Sequence, residues 1–227
     1  MRTGDAVMGR SGPTRRGTLG TGLLWVMLGL VGMASAPAAR AQAPPAAEAL
    51  KPYLQVNPIP GDAQTVRAFF SPGCSYSKLY FPFFKNLGAT LPQGKTFEFT
   101  PLVNTADGVS YALSFLAVRT YYPAYVNNFV EASLIGVQDK GLSTRNWAAI
   151  ERIGKAAHVP VSVPRLVQQH GDELRTALAA SLLRQKGLAV TNTPAVSVAG
   201  TYIVTPEFTN GDVSLFSQLV NGLISMQ

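Results

Sequence analysis

Phe69-Phe70-Ser71-Pro72-Gly73-Cys74-Ser75-Tyr76-Ser77 is the stretch from which the rest of the chain can be read. Its upstream flank, Thr65-Val66-Arg67-Ala68-Phe69-Phe70, is rich in β-branched and aromatic residues. It ends at the turn formers Ser71, Pro72 and Gly73, which predicts a strand. Downstream, Ser75–Leu87 predicts a helix. Leu79, Phe83, Phe84 and Leu87 recur at spacings of three and four as its buried face, with Gly88 closing it. Pro82 falls inside that helix and should kink it, because proline removes a donor and crowds the preceding turn. Cys74 therefore stands where a strand passes into a helix. Free N–H groups and the positive end of the helix dipole favour a thiolate over a thiol at such a place, so the position suits a reactive sulfur.

Cys74 is the only cysteine among the 227 residues. The N-terminus explains why that matters. Met1–Arg16 is basic, and Gly17–Ser35 is free of charge and contains the apolar run Leu23–Val31. Ala39-Arg40-Ala41 then fits a small-x-small cleavage site. Residues 1–41 are expected to be a signal peptide. Thr14-Arg15-Arg16-Gly17-Thr18-Leu19 resembles a twin-arginine signal, although Thr18 stands where phenylalanine is usual, so the export route stays open. The Gly, Thr and Ser content and the cleavage site favour a cleaved signal over an uncleaved membrane anchor facing the periplasm. Residues 42–51 read as a linker, with Ala43-Pro44-Pro45-Ala46-Ala47 of low complexity. Exported proteins usually use cysteines in pairs, so a lone thiol is either buried and inert or reactive toward another molecule.

The formal charge of +7 belongs largely to the leader. Arg2, Arg10, Arg15, Arg16 and Arg40 with Asp5 lie there, leaving 14 basic and 11 acidic residues scattered over the rest. With no basic run and no basic–aromatic interleaving, nucleic acid is not an expected partner. His158 and His170 lack metal-ligand spacing and read as surface or cap residues. There is no phosphate loop or nucleotide fingerprint.

Further along, Phe97–Val103 reads as a second strand and 109–186 as mostly helical. Within the latter, Val109–Tyr121 forms one helix. Ser143–Ala157 forms another, capped by Ser143 and burying Trp147, Ile150 and Ile153. Val163–Gln185 is broken near Gly171-Asp172. Thr193–Val204 has Gly200 between two β-branched runs, a hairpin pattern, and Gly211–Met226 closes the chain as a helix. Asp107-Gly108 and Asn210-Gly211-Asp212 read as turns.

The segment Phe69–Ser77 resembles the active-site segment of the DsbA-like, thioredoxin-fold disulfide oxidoreductases, which runs strand, Phe-Phe-Ser, two residues, Cys-x-x-Cys. Cys74 matches the nucleophile, Ser77 replaces the resolving cysteine, and Ala68 stands where many members carry a buried acid. Thr193-Pro194 and the hairpin after it resemble the family's cis-proline loop. The resemblance covers about residues 52–225. It implies an α/β thioredoxin-like domain over 52–227, with a helical subdomain inserted at about 107–187. Its implied catalytic residues are Cys74 and Ser77, with Ser77 able to donate a hydrogen bond to the thiolate. Tyr76, Thr193 and Pro194 would contact substrate. It implies no bound cofactor or metal, with glutathione or another small thiol as a candidate co-substrate. The implied partners are exported proteins with disulfides and a membrane redox partner of a soluble, periplasmic mature protein. Without a second thiol the internal disulfide cannot form, which leaves reduction, isomerisation or mixed-disulfide chemistry. A rival reading keeps the fold and drops the chemistry: a binding or assembly protein of a secretion or cell-surface system.

Overall fold

The computed structural model describes residues 51–104 and 108–227. The expected signal peptide at 1–41, all but the last residue of the linker at 42–51, and Asp107 of one expected turn lie outside the described residues.

The strand expected at Thr65–Phe70 forms over those residues as β2, after the two-residue β1, Leu54–Gln55. Every residue of β2 is buried, as befits a strand covered on both faces. It pairs in parallel with β3, Thr96–Pro101, in register Ala68↔Phe99, and antiparallel with β4, Ala195–Val198, in register Ala68↔Val196. With β5, Tyr202–Val204, the sheet order is β1-β5-β4-β2-β3. The β4–β5 hairpin turns through Ala199 (φ 52°) and Gly200 (φ 61°), with Thr201 N–H donating to Val198 O at 3.1 Å. Two positive φ values match the twist of the flanking strands. A Cβ on Gly200 would stand 2.7 Å from Asp62 Cβ, so glycine is required there on steric grounds as well.

The first long helix, α1, spans Ser75–Thr90 and differs from its sequence reading in two ways. Its buried residues are Ser77, Tyr80, Phe81, Phe84 and Leu87, while Leu79 is exposed. Two apolar stripes fit the same sequence, and the sheet takes the one with the larger aromatic surface. Nor does Gly88 end the helix, which runs on to Thr90 ahead of Pro92. A Cβ at Gly88 would sit 2.8 Å from the Phe97 ring, so this glycine permits close approach of α1 to β3. Pro82 is an exposed residue within the helical span.

Between β3 and β4 lie α2 (Gly108–Tyr121), a 3₁₀ turn at Pro123–Tyr125, α3 (Val126–Gln138), α4 (Trp147–Ala156), α5 (Val163–Gln169) and α6 (Gly171–Gly187). Asn146, rather than Ser143, caps α4. Its Oδ1 accepts from the Ala148 and Ala149 amides at 2.8 and 3.2 Å. Trp147, expected inside, is 42% exposed, while Ile150 and Ile153 are buried. The final helix, α7, runs Val213–Ser225 and is capped by Asp212.

Two cores lie on opposite faces of the sheet. Val66, Ala68 and Phe70 join α1, α2, α3 and α7 in an aromatic cluster. Phe70 meets Phe99, Tyr111 and Phe115 edge-on at 5.8, 6.2 and 5.7 Å, which ties the strand leading to Cys74 to the inserted helices. Each such pair adds about 0.5–1.5 kcal/mol beyond the burial of its surface. Phe69 points to the other face, among Leu102, Leu188, Val190 and Ile203. Arg67 shares that face and is 3% exposed. Its guanidinium bonds Asp62, Glu98 and Thr100, while Arg184 reaches Asp62 and Arg119 reaches Glu98.

Candidate active site

Six strand residues, a short turn and a helix place Cys74. Where β2 ends, Cys74 N–H donates to Ser71 O at 3.1 Å and Gly73 N–H to Ser71 Oγ at 3.3 Å, which folds the turn. Cys74 then occupies the N-cap of α1 with extended backbone (φ −88°, ψ 117°), and its carbonyl accepts from Lys78 N–H at 3.3 Å. No side chain caps this helix start. The sulfur instead crosses to the loop before β4, where Sγ donates to Thr193 O at 3.1 Å. The Thr193–Pro194 peptide is cis. Cys74 is partly exposed, and Pro194 is buried beneath the loop.

A third element reaches the loop from the inserted helices. Gln138, at the end of α3, donates from Nε2 to Pro72 O at 2.9 Å and to Cys74 O at 3.0 Å. Beside it, Asp139 accepts from Lys78 Nζ at 2.5 and 2.7 Å, a second tie between α3 and the first turn of α1. Neither residue carries a local sequence signal, since each acts across more than 60 positions.

One cavity opens on Cys74, and a second shares Thr193 and Glu207 with it. The first, of about 410 Å³, is lined by Gly73, Cys74, Asn104, Asn192, Thr193 and Glu207 among others. The second, of about 430 Å³, is lined by Tyr76, Thr193, Pro206, Glu207, Asn210 and Gly211. Tyr76 is 53% exposed and forms one wall. Below it Tyr80 donates to Gly211 O at 3.0 Å. Burial pushes its phenol up, with the charges of Asp212 and Glu207 adding to that and a hydrogen bond with Thr209 opposing it.

The structure thus brings Cys74, Tyr76, Thr193 and Pro194 to one place. Ser77 is near in the chain but is used otherwise. It is 1% exposed, and its Oγ accepts from Ser71 N–H at 3.2 Å, bracing the turn rather than bonding the sulfur. Ala68 is fully buried in the apolar cluster. His158 and His170 lie away from this site. His158 is exposed, and His170 stacks on Tyr121 at 4.0 Å. Tyr121 donates to Glu173 at 2.5 Å, which pushes its phenol up to about 12. Among the described residues no group of three His, Cys, Asp or Glu side chains is placed to hold a metal ion, and no helix is long and apolar enough to cross a membrane. Sequence reasoning missed Gln138 and Glu207. The pattern Thr205-Pro206-Glu207 after the hairpin was the one visible cue to the latter.

No family model matches the chain, and no curated protein matches its sequence. Solved structures do match. DsbA of Pseudomonas aeruginosa superimposes with a TM-score of 0.67 at 15% identity, covering 78% of this chain and 92% of that one. The oxidoreductase DsbA of Xylella fastidiosa gives 0.64 at 18% identity, covering 77% and 94%. DsbA of Proteus mirabilis gives 0.61 at 13%, covering 76% and 94%. The fold is that of the DsbA structures: a five-stranded mixed sheet with a helical insert. At these identities the likeness is one of fold, and this chain carries a single cysteine.

Proposed function

We propose that this chain is an exported thiol–disulfide exchange protein with one nucleophile, Cys74. The observation that carries the reading is the placement of Cys74, a partly exposed residue at the N-cap of α1 whose Sγ lies 3.1 Å from Thr193 O beside an open cavity. The Cys74 thiolate attacks one sulfur of a substrate disulfide. The S–S bond breaks, one substrate sulfur leaves as a thiolate and takes up a proton, and the other becomes a mixed disulfide with Cys74. Thr193 O, freed of the S–H, can accept an N–H from a peptide lying across the loop, with Tyr76 as one wall of its groove. A second thiol then releases Cys74. If that thiol belongs to the substrate the outcome is isomerisation. If it is glutathione or another small thiol, it bonds the substrate sulfur and Cys74 leaves as the thiolate; a second small thiol then displaces that substrate sulfur, so two small thiols become one disulfide and the substrate is left reduced. Ser77 can take no part in the release, because a hydroxyl forms no disulfide. The substrates are exported proteins with disulfides, the leader delivers the chain to the periplasm, and a membrane redox partner is a candidate reductant.

A second reading, a non-catalytic binding or assembly protein, is favoured by Ser77 bonding within the turn and by the absence of a carboxylate at Ala68. Treatment of the folded protein with bis(2-hydroxyethyl) disulfide separates the two. The exchange reading expects a mixed disulfide on Cys74 by mass, absent in Cys74→Ser and released by glutathione. A Cys74 that neither forms the adduct nor reacts with iodoacetamide until the protein is unfolded would leave the binding reading standing.

A further inference from the structure

Among the described residues Glu207 is the one charged residue lining the Cys74 cavity and the cavity that shares Thr193 with it, and it lines both. Its backbone is fixed by the 3₁₀ turn Pro206–Thr209. Phe208 N–H donates to Thr205 O at 3.2 Å and Gly211 N–H to Pro206 O at 2.9 Å, with Thr209 buried below. The carboxylate is exposed and forms no ion pair among the described residues. The cation on the first turn of α1, Lys78, is offset by Asp139. A substrate sulfur that reaches Cys74 through the cavity Glu207 lines therefore meets a negative charge held in no ion pair among the described residues. We propose that Glu207 makes the Cys74 site selective for disulfides that carry positive charge next to the sulfur, such as cystines flanked by Lys or Arg. This rests on the exchange reading above.

Exposed charges within a Debye length, about 8 Å at physiological salt, alter an encounter only modestly. For a charged substrate the effect expected in either direction is about threefold. The test measures mixed-disulfide formation on Cys74 with two disulfides of similar size, cystamine (cationic) and 3,3′-dithiodipropionate (anionic). Uncharged bis(2-hydroxyethyl) disulfide gives the reference rate. Comparing the protein with Glu207→Gln cancels the intrinsic reactivity of each reagent. The ratio of the cystamine rate to the dithiodipropionate rate should fall about tenfold in Glu207→Gln and about a further tenfold in Glu207→Lys. Both differences should shrink toward unity near 1 M salt, where the Debye length is about 3 Å. A ratio unmoved by either variant would overturn the proposal while leaving the exchange reading intact. If Cys74 reacts with none of the three disulfides, the exchange reading fails and this inference falls with it.

Discussion

Arg67 and Ala68 are consecutive residues of one strand, and they face opposite sides of the sheet. On Arg67's side charge is buried. Arg67 is 3% exposed, its guanidinium among Asp62, Glu98 and Thr100, with Arg119 and Arg184 closing the cluster. Burial pulls the Arg119 guanidinium down, Glu98 opposes that, and the neighbouring arginines add to it. Arg67 Nε and Ser197 Oγ, paired in register, are both buried without a hydrogen-bond partner. On Ala68's side, the face that leads up to Cys74, the strand contributes Val66, Ala68 and Phe70 to an apolar cluster. The difference teaches what the charges are for. The strand's one ionised side chain, Arg67, ties it to Asp62 and to β3, and the strand offers none to its other face.

The largest effect expected from breaking this division is at Arg67. Removing one member of a buried charge network leaves its partners uncompensated, at a cost of roughly 3–5 kcal/mol. Arg67→Ala should lower stability by about that much in urea unfolding. Asp62 keeps Arg184 and Glu98 keeps Arg119, which argues for the lower end of that range. Cys74 in the protein that stays folded should be alkylated at the native rate. A changed rate would show that the two faces of the sheet are coupled.

A smaller effect comes from Ser77. Ser77→Cys replaces a good acceptor for the Ser71 amide with a poor one in a buried turn, at a cost of roughly 1–3 kcal/mol in the reduced protein. It also sets a second thiol one helical turn from Cys74. The variant should lose two hydrogens by mass on mild oxidation and show no titratable thiol. Both thiols remaining free would mean that the turn holds these positions apart, and that more than the missing sulfur separates this chain from a two-cysteine exchanger.

Much of this was legible from local pattern. The run at Thr65–Phe70 and the hairpin after Pro194 could be read because short β-branched and aromatic stretches between turn residues leave few alternatives. The face of α1 could not, because Leu79 and Phe83 offer a stripe as regular as the Tyr80–Phe81–Phe84 stripe that the sheet selects. Gly88 looks like a stop until the Phe97 ring is set against it. Asn146 and Ser143 are both good caps, and which of them serves depends on where α4 docks. At the site, Cys74 and Thr193 could be paired in advance through a family resemblance, and Tyr76 follows from its neighbour. Gln138 and Glu207 could not, since their roles exist only once segments more than 60 residues apart have met.

Gln138 offers the smallest effect and the sharpest test of where the thiol face draws its rigidity. Its amide holds two carbonyls of the Cys74 loop, and one of them, Cys74 O, also accepts from Lys78 N–H. In Gln138→Ala that carbonyl keeps a partner, whereas Pro72 O, in a buried residue, loses its bond to Gln138. The net cost should be near that of one hydrogen bond, about 1 kcal/mol. Global stability should fall by no more than that. If loop opening limits access to the sulfur, the same energy corresponds to about a fivefold faster alkylation of Cys74. Gln138→Glu should be no better, because a carboxylate cannot donate to either carbonyl. An alkylation rate unchanged in both variants would mean that β2 and the Thr193 contact alone set the loop. The inserted helices would then bear on the candidate site only through Phe70 and the aromatic core.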